Sequence, residues 1–80
     1  MAAVPFNVVI RYGNGTTECF TLRARDKESA LHKVLQQIET RWAAKFFPDP
    51  ENTNPLKLPG RLVNYGGVLY DLMIDCWQER

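Results

Sequence analysis

An amphipathic stretch between Asp26 and Trp42 constrains the fold of this 80-residue chain more than any other feature. At 3.6 residues per turn its larger apolar side chains form one stripe along a helix. They are Leu31, Val34, Leu35, Ile38 and Trp42. Asp26 is placed to cap the first turn, because its carboxylate accepts hydrogen bonds from free N–H groups there. We therefore predict a helix over residues 27–44, with an apolar stripe that requires a sheet to cover it.

Two strands joined by a tight turn precede this helix. Residues 5–12 and 16–24 alternate apolar and polar side chains, which is typical of half-buried strands. A two-residue turn would place their apolar sides on opposite faces of the hairpin. A three-residue loop over 13–15 instead sets Val8 opposite Phe20, so that the apolar sides coincide. The pattern therefore predicts a hairpin with the three-residue loop.

The segment after the helix divides into a loop and an ambiguous apolar region. Four prolines within residues 47–60 predict a Pro-rich loop without regular structure. Residues 61–65 and 68–76 can form a hairpin around a Gly66-Gly67 turn, or the second of them can form a helix. The two glycines and the Val, Tyr and Ile content favour the hairpin.

Together these elements predict a single α+β domain over residues 1–80. Its expected architecture is two-layer ββαββ, a four-stranded antiparallel sheet with one helix packed on one face. The Gly66-Gly67 turn gives the last hairpin a helix-facing set and an uncovered set. The helix-facing set is Val63, Tyr65, Val68, Tyr70, Leu72 and Ile74. The uncovered set is Leu62, Asn64, Leu69, Asp71, Met73, Asp75 and Trp77.

Composition narrows the functional classes. The net charge of +1 gives no general attraction to nucleic acid or to anionic membranes. The N-terminus lacks the basic region and apolar core of a secretory signal, and no apolar run approaches the ~18 residues of a membrane span. Two cysteines do not make a disulfide framework, so we expect a cytoplasmic protein. Because no segment is long and apolar enough to span a membrane, we also expect no association with membranes.

Catalytic and metal-binding arrangements are not evident. The single histidine, His32, lies on the helix flank, whereas Cys19 lies on the uncovered side of the sheet, so a nucleophile–base pair is not expected. Asp71 and Asp75 are about 13 Å apart by strand rise, too far for paired-carboxylate catalysis. We expect a non-enzymatic protein without a cofactor or a bound metal.

The uncovered sheet face is the best candidate for a functional surface. It would carry contiguous apolar side chains that a monomer has no reason to leave in water, flanked by charged side chains. The expected protein-binding residues are Trp77, Met73, Leu69, Val9, Arg11, Asp71 and Asp75. They predict a small module that acts by self-association, as a homodimer, or by binding and modulating a larger protein complex.

A weak nucleic-acid-binding protein is the alternative. Basic residues cluster on or beside the first hairpin: Arg11, Arg23, Arg25 and Lys27. Asp71 and Asp75 would share the face with Arg11 and repel phosphates, so nucleic acid is the less favoured partner.

The general pattern, a hairpin with a Gly-Asn-Gly turn running into an amphipathic helix, resembles small phage and mobile-element proteins. This resemblance implies an inhibitor of a host complex and assigns no role to any residue.

Overall fold

The computed structural model describes residues 2–54 and 57–79, which form one antiparallel sheet and one helix. The elements in chain order are β1 (Val4–Tyr12), β2 (Thr17–Ala24), α1 (Lys27–Trp42), β3 (Lys45–Pro48), β4 (Lys57–Asn64) and β5 (Gly67–Gln78). The strand order across the sheet is β2-β1-β5-β4-β3, and α1 packs on one face. The α+β class is confirmed, whereas the described residues contain five strands, one more than predicted.

The first hairpin has the predicted register and loop. Val8 pairs with Phe20, and the loop over residues 13–15 is closed by a 2.8 Å hydrogen bond from Tyr12 N to Thr16 O. Gly15 has φ of +90°, a left-handed conformation that glycine adopts without steric cost. The loop length and the pairing of apolar sides therefore follow from the local pattern.

The helix begins as predicted and ends two residues earlier. The Asp26 side chain accepts a 2.8 Å hydrogen bond from Ser29 N, as an N-cap does. Ala43 has φ of +49°, and this left-handed residue ends the helix after Trp42. The predicted stripe faces the sheet with its centre on Val34 and Ile38, which are buried.

The prediction of a featureless 47–60 loop is wrong at both of its ends. Strand β3 includes residues 47 and 48, and β4 begins at Lys57. Pro48 is tolerated because it ends an edge strand. Pro59 has no backbone N–H to donate, but its backbone faces the side of β3, and pairing with β3 ends at Pro48. The Pro59 carbonyl accepts a 2.9 Å hydrogen bond from Asp49 N on that side. Gly60 lies directly beneath the Phe46 ring, leaving no room for a Cβ.

The second hairpin is confirmed, but its turn lies one residue earlier than predicted. Asn64 pairs with Gly67, so Tyr65 and Gly66 form the turn. A bulge follows, after which Leu62 pairs with Tyr70. A one-residue shift moves every side chain of a strand to the other face.

The assignment of β4 side chains to sheet faces is therefore wrong. Leu62 is fully buried in the core, although it was expected on the uncovered face. Val63 takes the uncovered side, where it pairs with Val68, and Tyr65 is fully exposed in the turn. The inward positions of Leu72 and Ile74 are as predicted.

The core lies between α1 and the sheet and draws on every element. Its buried members are Phe6, Val8, Ile10, Tyr12, Ala24, Ala30, Val34, Ile38, Phe46, Leu62, Leu72, Ile74 and Cys76. Because the core occupies one face of the sheet, the other face is left without a covering layer in the described part of the chain.

Candidate protein-binding face

The open face is the side of the sheet opposite α1. Successive side chains of a strand point to opposite faces of the sheet, and paired residues of neighbouring strands point to the same face. The open face therefore consists of every second side chain along each strand. They are Pro5, Asn7, Val9, Arg11, Thr17, Cys19, Thr21, Arg23, Lys45, Phe47, Lys57, Pro59, Arg61, Val63, Val68, Asp71, Met73, Asp75 and Trp77. The face therefore mixes apolar and charged side chains across all five strands.

Trp77 marks one end of this face. It pairs with Asn7 of β1, and 48% of its surface is exposed. The next position on the same side of β5 is Asp75, which pairs with Val9. Met73 lies four residues away, about 13 Å by strand rise, so it does not adjoin the indole.

A groove occupies the other end of the open face. Its volume is about 870 Å³, and it lies between β1, β5 and the segment that leaves β3. Phe47, Pro50, Pro59 and Met73 supply apolar walls, and the charged lining consists of Arg11, Arg61, Asp49, Glu51 and Asp71. Phe47 is 55% exposed, so the groove has an aromatic side chain available at its edge.

Six of the seven predicted protein-binding residues lie on the open face. Leu69 does not: it is the extra residue of the β5 bulge, half-buried against the core. In a bulge two successive residues oppose one partner, which interrupts the simple alternation on which the prediction depended. The sequence reasoning missed Phe47 and Pro59, since both lie in the segment predicted to be a loop. The adjacent pair Phe46-Phe47, one inward and one outward, was the available signal for β3.

Ion pairs organise the centre of the open face. The Arg11 guanidinium pairs with the Asp75 carboxylate, whose side chain is largely covered. Arg61 Nε lies 3.4 Å from Asp71 Oδ1, with both side chains well exposed. Exposed pairs of this kind contribute little to stability. They hold the two carboxylates beside cations, which reduces the acidic character of the face.

The strands of the open face carry more basic than acidic side chains. Five basic side chains point to it, against the two aspartates. The basic set is Arg11, Arg23, Lys45, Lys57 and Arg61. The strand side chains of the face therefore carry a net charge of +3, which Asp49 and Glu51 of the groove reduce to +1. Three of these five cations were not assigned to the face from the sequence.

The residues of the nucleic-acid alternative do not form one surface. Arg11 is paired with Asp75, and Arg23 Nη2 lies 3.4 Å from Ala3 O. Arg25 lies in the connection between β2 and α1, and Lys27 is the first residue of α1. The four side chains are thus divided between the open face and the helix layer.

Residue types associated with catalysis are separated by the fold. Cys19 is exposed on the open face, whereas His32 is exposed on α1, on the other side of the sheet. Cys76 is buried in the core, and burial raises the pKa of its thiol. Within residues 2–54 and 57–79, no group of three or more His, Cys, Asp or Glu side chains is placed to hold a metal ion.

A polar cluster fixes α1 to the first hairpin on the core side. Glu18 accepts a 2.7 Å hydrogen bond from the Tyr12 hydroxyl and is bridged by Arg41 Nη1 at 2.7 and 2.8 Å. The Tyr12 hydrogen bond and the Arg41 guanidinium lower the pKa of Glu18. Burial, followed by the bond to Glu18, raises the pKa of Tyr12. Each group is held in its dominant protonation state at neutral pH, so the cluster is structural.

Comparison with known protein families, with curated proteins and with solved structures finds no match to this chain. No helix among the described residues is long and apolar enough to span a membrane.

Proposed function

We propose that this chain is a small, non-enzymatic, cytoplasmic module that binds a larger protein partner through the open face and modulates it. The observation that carries the proposal is the half-exposed Trp77 on a sheet face that no described element covers. Tryptophan is a frequent anchor of protein interfaces, because its large apolar area recovers free energy when it is removed from water. The free thiol of the exposed Cys19 fits a reducing compartment.

Two further observations support a protein ligand. The groove offers Phe47, Met73 and three proline side chains to an apolar group of a partner. Arg11 and Asp75 form a polar pair between the groove and Trp77, an arrangement that sets register more than affinity. Apolar anchors at two ends with polar groups between them are typical of a protein-binding surface.

The charge of the open face favours a different protein over a second copy at this surface. Two copies packed face to face would bring the basic strand side chains of one copy against those of the other, and like charges oppose association. An acidic protein surface would instead be attracted. We therefore propose an acidic partner, and a chain that occupies such a surface would act as an inhibitor of whatever else binds there.

The test compares Trp77→Ala with Tyr65→Ala, a matched aromatic truncation in the exposed turn outside the open face. Each immobilised variant is exposed to a lysate of the source cells, and the affinity of any retained protein is then measured by calorimetry. We expect a protein retained by the wild type and by Tyr65→Ala, with at least tenfold weaker binding to Trp77→Ala and little change in Tm. Equal retention by both variants would show that the open face is not the binding surface.

A labelled single-stranded oligonucleotide separates the alternative function. When a protein binds a nucleic acid, it displaces cations that were associated with the phosphates. Added salt opposes this displacement, so the affinity falls steeply as the salt concentration rises. We expect no salt-dependent mobility shift with the wild type. If the wild type shifts the oligonucleotide and the Arg23→Ala, Arg25→Ala double variant does not, the ligand is a nucleic acid and the proposal of a protein ligand is wrong.

A further inference from the structure

The two edges of the sheet differ in their capacity to accept another strand. Edge strand β3 has four residues and ends in Pro48, features that protect an edge from pairing. Edge strand β2 has eight residues, contains no proline, and pairs with β1 without a bulge. The β2 edge is therefore the long, regular edge of the sheet.

The outward backbone groups of β2 can be identified from the hairpin hydrogen bonds. Thr16 O accepts from Tyr12 N, so the polar backbone groups of Thr16 face β1. Because this direction alternates along an antiparallel strand, the groups of Thr17, Cys19, Thr21 and Arg23 face away from the sheet. Lys33 Nζ donates a 2.8 Å hydrogen bond to Arg23 O, the last of these carbonyls.

We infer that β2 pairs antiparallel with β2 of a second copy of this chain, extending the sheet across a two-fold axis. The register that pairs all four outward residues places Phe20 on the axis. Cys19 then lies opposite Thr21 of the second copy, and Thr17 lies opposite its Arg23. Each of these pairs exchanges both backbone hydrogen bonds, as in the interior of an antiparallel sheet.

The charges along β2 complement one another in this arrangement. Glu18 lies near one end of the strand on the helix side of the sheet, whereas the Lys33 ammonium of α1 lies at the other end. Antiparallel pairing brings the acidic end of each copy beside the basic end of the other. In the dimer the Arg23 carbonyl accepts a hydrogen bond from Thr17 N of the second copy, so the Lys33 ammonium moves away from it. The ammonium then faces the Glu18 carboxylate of the second copy, which also binds Arg41 of that copy.

The apolar side chains of the edge are also covered by the pairing. Phe20 and Leu22 are half-buried at the margin of the core on the helix side of β2. In the proposed register the two Phe20 rings meet across the axis, and aromatic cross-strand pairs stabilise antiparallel sheets. The pairing is isologous and the β3 edge is protected, so association ends at a dimer.

The first test is the mass in solution over about a hundredfold range of concentration, measured by sedimentation velocity. We expect a change from monomer to dimer for the wild type, for Thr21→Val and for Trp77→Ala, which alters the open face alone. Thr21→Pro removes an outward N–H from an edge strand, where proline is tolerated, and should remain monomeric with an unchanged circular dichroism spectrum. A wild type that stays monomeric throughout would overturn the inference.

A second variant makes the test independent of whether Thr21→Pro folds. Thr21→Cys places a thiol opposite Cys19 of the second copy, and the Cα separation of a hydrogen-bonded antiparallel pair is compatible with a disulfide. With the oxidant diamide we expect a disulfide-linked dimer that is lost when Cys19→Ser is added. Thr17→Cys is the matched control, because the register sets it opposite Arg23. Equal crosslinking of the Thr17→Cys and Thr21→Cys variants would exclude this register and overturn the inference.

Discussion

At the scale of single residues, Glu18 links three elements with one carboxylate. It lies on β2, accepts from Tyr12 of β1 and is bridged by Arg41 of α1. Alternation along the strand predicts that Glu18 faces the helix side, because it shares that side with Phe20 and Leu22. The partners depend on where α1 ends over the hairpin, which local pattern does not specify.

This cluster predicts a dependence of stability on acid pH. The pKa of Glu18 is lowered in the folded chain, so the native state favours the charged carboxylate. The resulting stabilisation is present above the unfolded-state pKa and is lost as pH falls through the folded-state pKa. In urea unfolding at neutral and acid pH, Glu18→Gln should be less stable than wild type at neutral pH, and the difference should narrow in acid. A constant difference would contradict this role.

Gly60 is needed for a close contact that the sequence does not reveal. Gly60 lies among prolines, which indicated a loop, yet its missing side chain allows the Phe46 ring to pack against β4. A glycine in a strand often marks such an approach of neighbouring atoms. The sequence gives the glycine but not the ring that requires it.

At the scale of elements, the helix is the part that local information predicts best. Its N-cap and its apolar period are both visible in the sequence, and both are confirmed. The centre of its buried face differs from the predicted stripe. Ala30, Val34 and Ile38 are buried there, whereas Leu31 and Leu35 are half-buried. A small alanine permits close packing against the sheet, and periodicity among the larger side chains alone does not reveal it.

This difference predicts unequal costs for two truncations of the helix. Ile38→Ala removes a buried side chain and should lower the free energy of unfolding by ~2–4 kcal/mol, through lost burial and a cavity. Leu35→Ala removes a half-buried side chain and should cost about half as much. Chemical denaturation of both variants checks the order. A larger loss for Leu35→Ala would place the centre of the stripe elsewhere.

Strand β3 shows where element prediction fails. It has four residues, of which Phe46 is buried and Phe47 is exposed, too short a pattern to distinguish from a loop. Its position is fixed by pairing with β4 and by a 2.8 Å hydrogen bond from Phe46 N to Glu39 Oε2 of α1. These contacts exist only once the helix and the second hairpin have packed together.

At the scale of the whole molecule, the first and last strands occupy the interior of the sheet. The first and last strands, β1 and β5, are neighbours, and Val8 pairs with Cys76. Both strands are flanked on each side by another strand, so their backbone groups are paired in both directions. Within the sheet, the pairing of β1 with β5 joins the two hairpins.

The strand order predicts the pattern of amide hydrogen exchange. Amides of β1 and β5 should exchange most slowly, since they open only when the whole sheet unfolds. In dilute protein the outward amides of Cys19 and Thr21 should exchange quickly, because they face solvent at the β2 edge. Residue-resolved exchange by NMR checks both expectations. Slow exchange of the β2 amides in the monomer, comparable with β1, would contradict the assigned edge.

The sequence by itself determined the α+β class, the helix with its N-cap, the register of the first hairpin and the presence of the second. Each depends on residues close in the chain, through side-chain period, turn chemistry or capping.

Tertiary structure alone decided the β5 position between β1 and β4, strand β3, the bulge at Leu69 and the face that Leu62 occupies. These features come from burial and pairing between distant segments, where one residue of shift exchanges core and solvent. The charge of the open face was decided in the same way, because Lys45, Lys57 and Arg61 reach it through pairing between β3, β4 and β5.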